Sequence, residues 1–300
     1  MTSFKPWSAC LSLLGLFAMA GCQPEVVRPE GIRLKLGDQS SWAGLNWNDQ
    51  DWIATNGTSR QQLFWVRFHF RLDSVAARRK PLGLRIIALG SFDAFWDGRL
   101  IGHNGRVGRT KAAEQPGLHA TEWPLSDADT QPGVHVLALR ISNFYAGTGY
   151  SFYNCGIERY SDRVRASLQT VGWMAMLAGA FLIGAIYYLF LSLHNRQEPL
   201  FRLFSLICGL FFCLIVVEYV PFVWSYRYTV QTPRLEIIGV LTGCIALLVP
   251  SFLNRQFGLF KPTYFTGLLG LLLLGIFVYF HGRYDLTAQL LSLTMGVSVV

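Results

Sequence analysis

Two kinds of hydrophobic patterning divide the chain. From Leu63 to Leu72 apolar positions alternate, so that Phe64, Val66, Phe68 and Phe70 share one face of an extended strand and Trp65, Arg67, His69 and Arg71 the other. Leu82–Leu89 is a nearly continuous apolar run, the pattern of a strand covered on both faces. Phe92–Trp96 and Arg99–Gly102 flank Asp97-Gly98, a pair that supplies the positive-φ residues of a two-residue hairpin turn. Val134–Ile141 follows the turn residues Gln131-Pro132-Gly133 as a further strand. Short strands at this spacing predict an antiparallel, all-β sandwich over residues 25–160.

Beyond the sandwich the alternation stops. Val171–Leu193 holds 23 uncharged residues, about 35 Å as a helix and enough to cross a ~30 Å hydrocarbon layer. Leu203–Trp224 follows with Glu218 as its one charge, then the uncharged runs Ile237–Leu253, Pro262–Phe280 and Leu286–Val300. The last reaches only about 22 Å, so the fifth helix is expected to be incomplete. The second domain, residues 168–300, is therefore predicted as an all-α transmembrane bundle. Its spans are placed at about 171–193, 203–224, 237–253, 262–280 and 286–300.

The start of the chain adds a third element. Lys5 precedes the apolar run Ala9–Ala20, which ends in Met19-Ala20-Gly21-Cys22. Twelve helical residues cover about 18 Å, too short to span, and match the core of a secretion signal over residues 1–22. The segment resembles the bacterial lipoprotein signal, which implies lipid attachment at Cys22. Ordinary cleavage nearby, with Cys22 merely present, and a retained anchor are the alternatives; without lipid, Cys22 could pair with Cys155 in an oxidising periplasm. If Cys22 carries lipid, Cys155 is read as a buried apolar residue.

Composition supports the membrane reading and excludes another class. Hydrophobic residues make up 52% of the 300 residues and charged residues 15%, and mean hydropathy is +0.33. From Val171 to Val300 there are only seven basic and four acidic residues, too few to cover a water-facing surface. The net charge of +8 is scattered, with Arg78-Arg79-Lys80 the nearest thing to a run, so no nucleic-acid partner is expected. If the sandwich is exported, loops 194–202 and 254–261 fall in the cytoplasm. The Lys/Arg bias agrees weakly, four inside against three outside.

Two resemblances extend these readings. Leu45–Trp52, Phe64–Phe70, Phe95–Gly102 and Pro132–Ile141 resemble, in order, successive segments of galactose-binding-like jelly rolls, the fold of the sugar-binding domains of family-two glycosidases. Tyr187–His194, Arg196, Glu198–Phe204, Pro233–Glu236 and Pro250–Leu253 resemble bacterial seven-transmembrane receptors with diverse intracellular signalling modules. That family implies a β-sandwich sensor outside, helices in the membrane and an output domain inside. The expected protein is thus a multi-pass receptor of the bacterial inner membrane, with its sensor in the periplasm and its output module (a histidine kinase, diguanylate cyclase or phosphatase) absent from this chain.

The alternative is a transporter or channel component whose sandwich is an accessory domain; the spans show neither midplane Asp or Lys nor an internal repeat. No catalytic motif, metal spacing or cofactor motif stands in these residues, so enzymatic activity is left to the missing output domain. Expected partners are membrane lipid and a small-molecule or carbohydrate ligand, with a homo-oligomer left open. Trp42, Trp47, Trp52, Trp65, Trp96 and Trp123 are candidates to stack on a sugar, with core packing the favoured reading for each. Arg67 and Arg140 are expected to brace the sandwich, and His69, His103, His119 and His135 to be surface or hydrogen-bonded residues. Glu218 is the candidate signal-coupling residue, or else an interfacial carboxylate paired with Arg227 or Arg234.

Overall fold

A computed structural model describes residues 26–146, 151–195, 198–258 and 262–279. The secretion signal with Cys22 and the fifth span, 286–300, lie outside the described residues.

Among the described residues, ten strands form two antiparallel sheets. They are β1 (Gly31–Leu36), β2 (Ile53–Ala54), β3 (Thr58–Ser59), β4 (Leu63–Leu72), β5 (Leu82–Ala88), β6 (Ser91–Trp96), β7 (Arg99–Asn104), β8 (Ala120–Pro124), β9 (Gly133–Ser142) and β10 (Ser151–Arg159). One sheet has the order β2-β1-β4-β9-β6-β7 and the other β3-β10-β5-β8. Pairing of Leu63–Leu72 with Ser142–Gly133 fixes the register along the whole of β4. The facing sides bury Phe64, Val66, Phe68, Leu84, Ile86 and Phe92 completely, each contributing roughly 1.5–3 kcal/mol by leaving water. Cys155 lies in this core, where burial pushes its thiol up; its alternative partner, Cys22, lies outside the described residues.

One strand expectation is corrected. β5 alternates, with Gly83, Arg85 and Ile87 partly open on its outer face, so it is not covered on both sides. β4 is the strand covered on both, because the segment from Asp38 to Asp51 folds over its outer face. Trp42 and Trp52 pack there against Trp65, with Trp42 meeting Trp65 edge-on at 6.3 Å. These tryptophans and Trp96, all buried, are packing residues; Trp47 and Trp123 are half-buried.

The helices are α1 (Tyr160–His194), α2 (Pro199–Val223), α3 (Gln231–Phe257) and α4 (Pro262–Tyr279), after one isolated helical turn at Ser74–Ala77 capped by Asp73. No linker separates the domains: β10 ends at Arg159 and α1 begins at Tyr160, eight residues before the expected start of the bundle. Successive helices pack in sequence order. Phe181 stacks on Phe211 at 4.9 Å, and Ser205 Oγ donates to the Ala185 carbonyl at 2.8 Å. α3 closes on Gly258 at φ +66°, a left-handed cap. α1, α2 and the segment Tyr228–Phe257 are long and apolar enough to cross a membrane, whereas α4 is apolar but shorter. Their outer faces leave large side chains such as Phe190, Leu268 and Leu271 about 70% exposed.

Candidate functional site at the sandwich–helix junction

The connection between α2 and α3 folds back onto the sandwich. Tyr226–Tyr228 lies alongside Gly117–His119 as a short extra strand. His119 N–H donates to the Tyr226 carbonyl at 2.9 Å, Tyr228 N–H donates to the Gly117 carbonyl at 3.0 Å, and Leu118 and Arg227 form the bridge between them. The receiving loop is held by Asn104 at the end of β7. Its amide donates to the Leu118 carbonyl and its side-chain oxygen accepts from Leu118 N–H, both at 2.7 Å. Gly117 is required here because a Cβ would stand 2.5 Å from Asn104 Oδ1.

A buried carboxylate locks this contact. Glu114 is 3% exposed, and its Oε1 accepts from the Tyr228 hydroxyl. Its Oε2 accepts from Phe144 N–H at 2.8 Å. Ser91 Oγ stands between Glu114 Oε1 at 3.0 Å and the Gln115 carbonyl at 2.8 Å. Tyr228, 1% exposed, is thus a side chain of the helical domain buried in the sandwich. The ring of His119 stacks on Tyr226 at 5.6 Å. Burial, with Arg234 and Arg85 nearby, lowers the His119 pKa to about 4.

Beside this contact lies a cavity of about 730 Å³. Arg85 and Trp123 of the second sheet, Asn104, Arg163 of α1, Phe222 and Arg227 contribute to its wall. Arg163 Nε is 3.3 Å from Glu122 Oε1 and 3.5 Å from Glu158 Oε1, and Arg85 Nε is 3.6 Å from the same Glu122 oxygen. Desolvation, then the neighbouring Arg163, lowers the Arg85 pKa. Desolvation outweighs both arginines at Glu158 and raises its pKa. The arrangement offers charged donors around a ligand-sized space, which is the chemistry of recognition.

Glu218 is held by Arg234, one of the two partners expected for it, at 3.3 Å. The reason is in the backbone. Pro221 has no N–H to give the Val217 carbonyl four residues earlier, and Arg234 Nε supplies the missing donor at 2.9 Å. Its Nη2 also donates to the Glu218 carbonyl at 2.7 Å. Arg67 and Arg140 brace the sandwich: Arg67 donates to Asp49 at 2.9 Å, and Arg140 to Asp38 and Asp93. His69, His103 and His135 each pair with an aspartate.

The residues that build the junction, Glu114, Tyr228, Asn104, Arg85 and Arg163, were not singled out by sequence reasoning. One signal was present. Tyr226, Tyr228 and Val230 alternate with polar residues between two apolar runs, the period of a strand rather than of a simple loop.

No family model and no curated protein matches the chain. Solved structures similar to it include a Bifidobacterium dentium β-glucuronidase complexed with coumarin-3-O-glucuronide (13% identity, TM-score 0.33, covering 41% of this chain and 21% of that one). A Bacteroides uniformis β-glucuronidase is 15% identical, with TM-score 0.32 and coverage of 45% and 18%. A Bacteroides vulgatus β-glycosidase is 16% identical, with TM-score 0.30 and coverage of 44% and 20%. The chain spans about a fifth of the length of these structures. What is established of the first domain is its own two-sheet antiparallel sandwich, joined to apolar helices.

Proposed function

We propose that the chain is the sensing and membrane-spanning part of an envelope receptor. The sandwich lies outside the inner membrane and binds a small molecule or carbohydrate; the helices carry the change to a cytoplasmic output module that is not in this chain. The observation supporting this reading is the double attachment of sandwich to helices. β10 continues into α1 without a linker, and the α2–α3 connection is bonded into the sandwich through Tyr228 and Glu114. A sandwich that only decorated a transporter would not need both attachments. A bound ligand can move the helices only through different affinities for two helix arrangements, and a sandwich tied to both α1 and α2 couples its own shape to their packing.

The test uses the full chain in lipid nanodiscs. A panel of glycans and small organic acids is screened by melting temperature, and each hit is followed by hydrogen exchange at the far helix ends, His194 and Leu253–Phe257. A hit that alters exchange at those ends supports the relay. Hits that stabilise the sandwich while leaving the far ends unchanged would overturn it, as would solute uptake into proteoliposomes by this chain alone.

A further inference from the structure

The junction cavity does not end at the sandwich. On α1 it is lined by Val164, Ser167 and Leu168. One turn further along the helix begins a second space, an apolar groove of about 340 Å³ between α1 and α2, lined there by Val171, Met174, Ala175 and Ala178. These positions recur every three to four residues, so cavity and groove occupy one continuous face of α1. The α2 side agrees. Pro221 and Phe222 border the cavity, while Val220 and Val223 border the groove.

The two spaces differ in chemistry at a definite height. Arg163 and Arg165 are the last charges before the uncharged run Ala166–Leu193, and exposed tryptophans follow within the first turns of that run and at the end of α2, Trp173 and Trp224, a residue type enriched near the surfaces of a bilayer. The cavity is therefore on the polar side of that boundary and the groove on the hydrocarbon side. Within the cavity, Arg85 and Arg163 meet the Glu122 carboxylate in the wall, Arg163 also reaches Glu158 behind it, and Arg227 lines the same wall. Both acids are engaged by Arg163. Arg227 is exposed and makes no ion pair among the described residues. The depressed His119 pKa reflects burial first and the positive surroundings second. A guanidinium fork suits an acidic phosphodiester, and an apolar groove directly beneath suits a chain.

We infer that cavity and groove form one site for an anionic amphiphile from the outer leaflet, its acidic headgroup held by Arg85, Arg163 and Arg227 and its chain between α1 and α2. The inference rests on the membrane reading above and is independent of the relay. A lipid there touches the sandwich, α1 and α2 at once, and so bears on the contact that joins the domains.

The full chain, purified in detergent, is titrated with dioleoylphosphatidylglycerol or dioleoylphosphatidylcholine, which share acyl chains, and bound lipid is counted by native mass spectrometry. At least tenfold tighter binding of the glycerol lipid is expected. Arg227→Gln, an exposed change that spares the fold, should reduce that preference, and Arg163→Gln with it should abolish it. Ala175→Phe, which fills the groove from an exposed position, should weaken both lipids. Equal binding of the two lipids would overturn the inference. So would displacement by millimolar inorganic phosphate with Ala175→Phe silent, which would mark a site for free anions. Flotation of the chain with liposomes is measured in parallel. Failure to float overturns the membrane reading itself, whereas flotation with equal lipid binding overturns the amphiphile site alone.

Discussion

Arg67 ties the covering segment to the outer face of the first sheet. It is 1% exposed, donates to Asp49 Oδ2 at 2.9 Å and gives its Nη1 to the Trp42 and Gly44 carbonyls at 2.7 and 2.8 Å. Arg67→Met leaves a buried carboxylate and two carbonyls short of a donor, and removing one partner of such a pair costs about 3–5 kcal/mol. A melt of the full chain followed by tryptophan fluorescence should show that loss. Arg67→Lys should recover only part of it, because an ammonium cannot reproduce the planar fork. His135 makes a pH-dependent contribution. Its Nδ1 is 2.6 Å from Asp97 Oδ2 and its Nε2 is 2.8 Å from the Gln131 carbonyl, so the protonated ring donates on both sides. The hydrogen bond to Asp97 raises its pKa above the ordinary value against the opposing effect of burial. The raised pKa means that the stabilisation is fully present below about pH 6.5, the unfolded value, and is lost as pH rises through the folded one. The melting temperature of the wild type, relative to His135→Gln, should therefore fall as pH is taken from 6 to 8.5; parallel curves for the two proteins would remove this role.

The end of α2 shows how one element depends on another. Pro221 deprives the Val217 carbonyl of its helical donor, and Arg234 of α3 provides a substitute. Arg234→Leu leaves that carbonyl and Glu218 without it, at a cost of about 1–3 kcal/mol, and should speed hydrogen exchange over Val217–Val223. Pro221→Ala returns a backbone N–H to the helix, so the double variant should recover most of the protection. Additive losses would show that the proline and the arginine are unrelated. The elements differ in how far the sequence announces them. Period-two alternation and Asp97-Gly98 mark β4 and the β6–β7 hairpin almost residue for residue. Alternation reports which side chains share a face but not what lies across it. The pattern of β4 thus gives its two faces but not that Trp42 and Trp52 cover the outer one, and the apolar run of β5 suggests cover on both faces although Arg85 opens onto the cavity. The junction residues were hidden for a related reason. Glu114 and Tyr228 are 114 positions apart, and a buried acid in a loop has no local pattern to mark it.

At the scale of the whole molecule, the question is whether sandwich and helices behave as one body. Two connections argue that they do. At the first, Tyr160 N–H donates to the Pro81 carbonyl at 3.0 Å, while Arg163 one turn later reaches Glu122, so α1 leaves the sandwich at a set angle. The second is the Tyr226–Tyr228 strand. A single attachment leaves a helix free to pivot; two attachments on different helices oblige α1 and α2 to shift together when the sandwich changes shape. Glu114 is the weak point of the second attachment, because its buried carboxyl oxygens rely on Ser91, Phe144 N–H and the Tyr228 hydroxyl. Tyr228→Phe leaves a buried acceptor short of one donor, about 1–3 kcal/mol, without disturbing the apolar part of the ring. Hydrogen exchange at Gly117–His119 and Tyr226–Tyr228 should accelerate by the corresponding factor, while the core of the sandwich, Phe64–Phe70, keeps its protection. Glu114→Gln keeps one acceptor oxygen but puts a donor where Glu114 had the other, so it should weaken the same amides, and combining it with Tyr228→Phe should cost less than the sum of the two, because both act on the same group. If Tyr228→Phe leaves exchange at these amides unchanged, the hydroxyl does not hold the domains together and the coupling must pass through β10 and α1 alone.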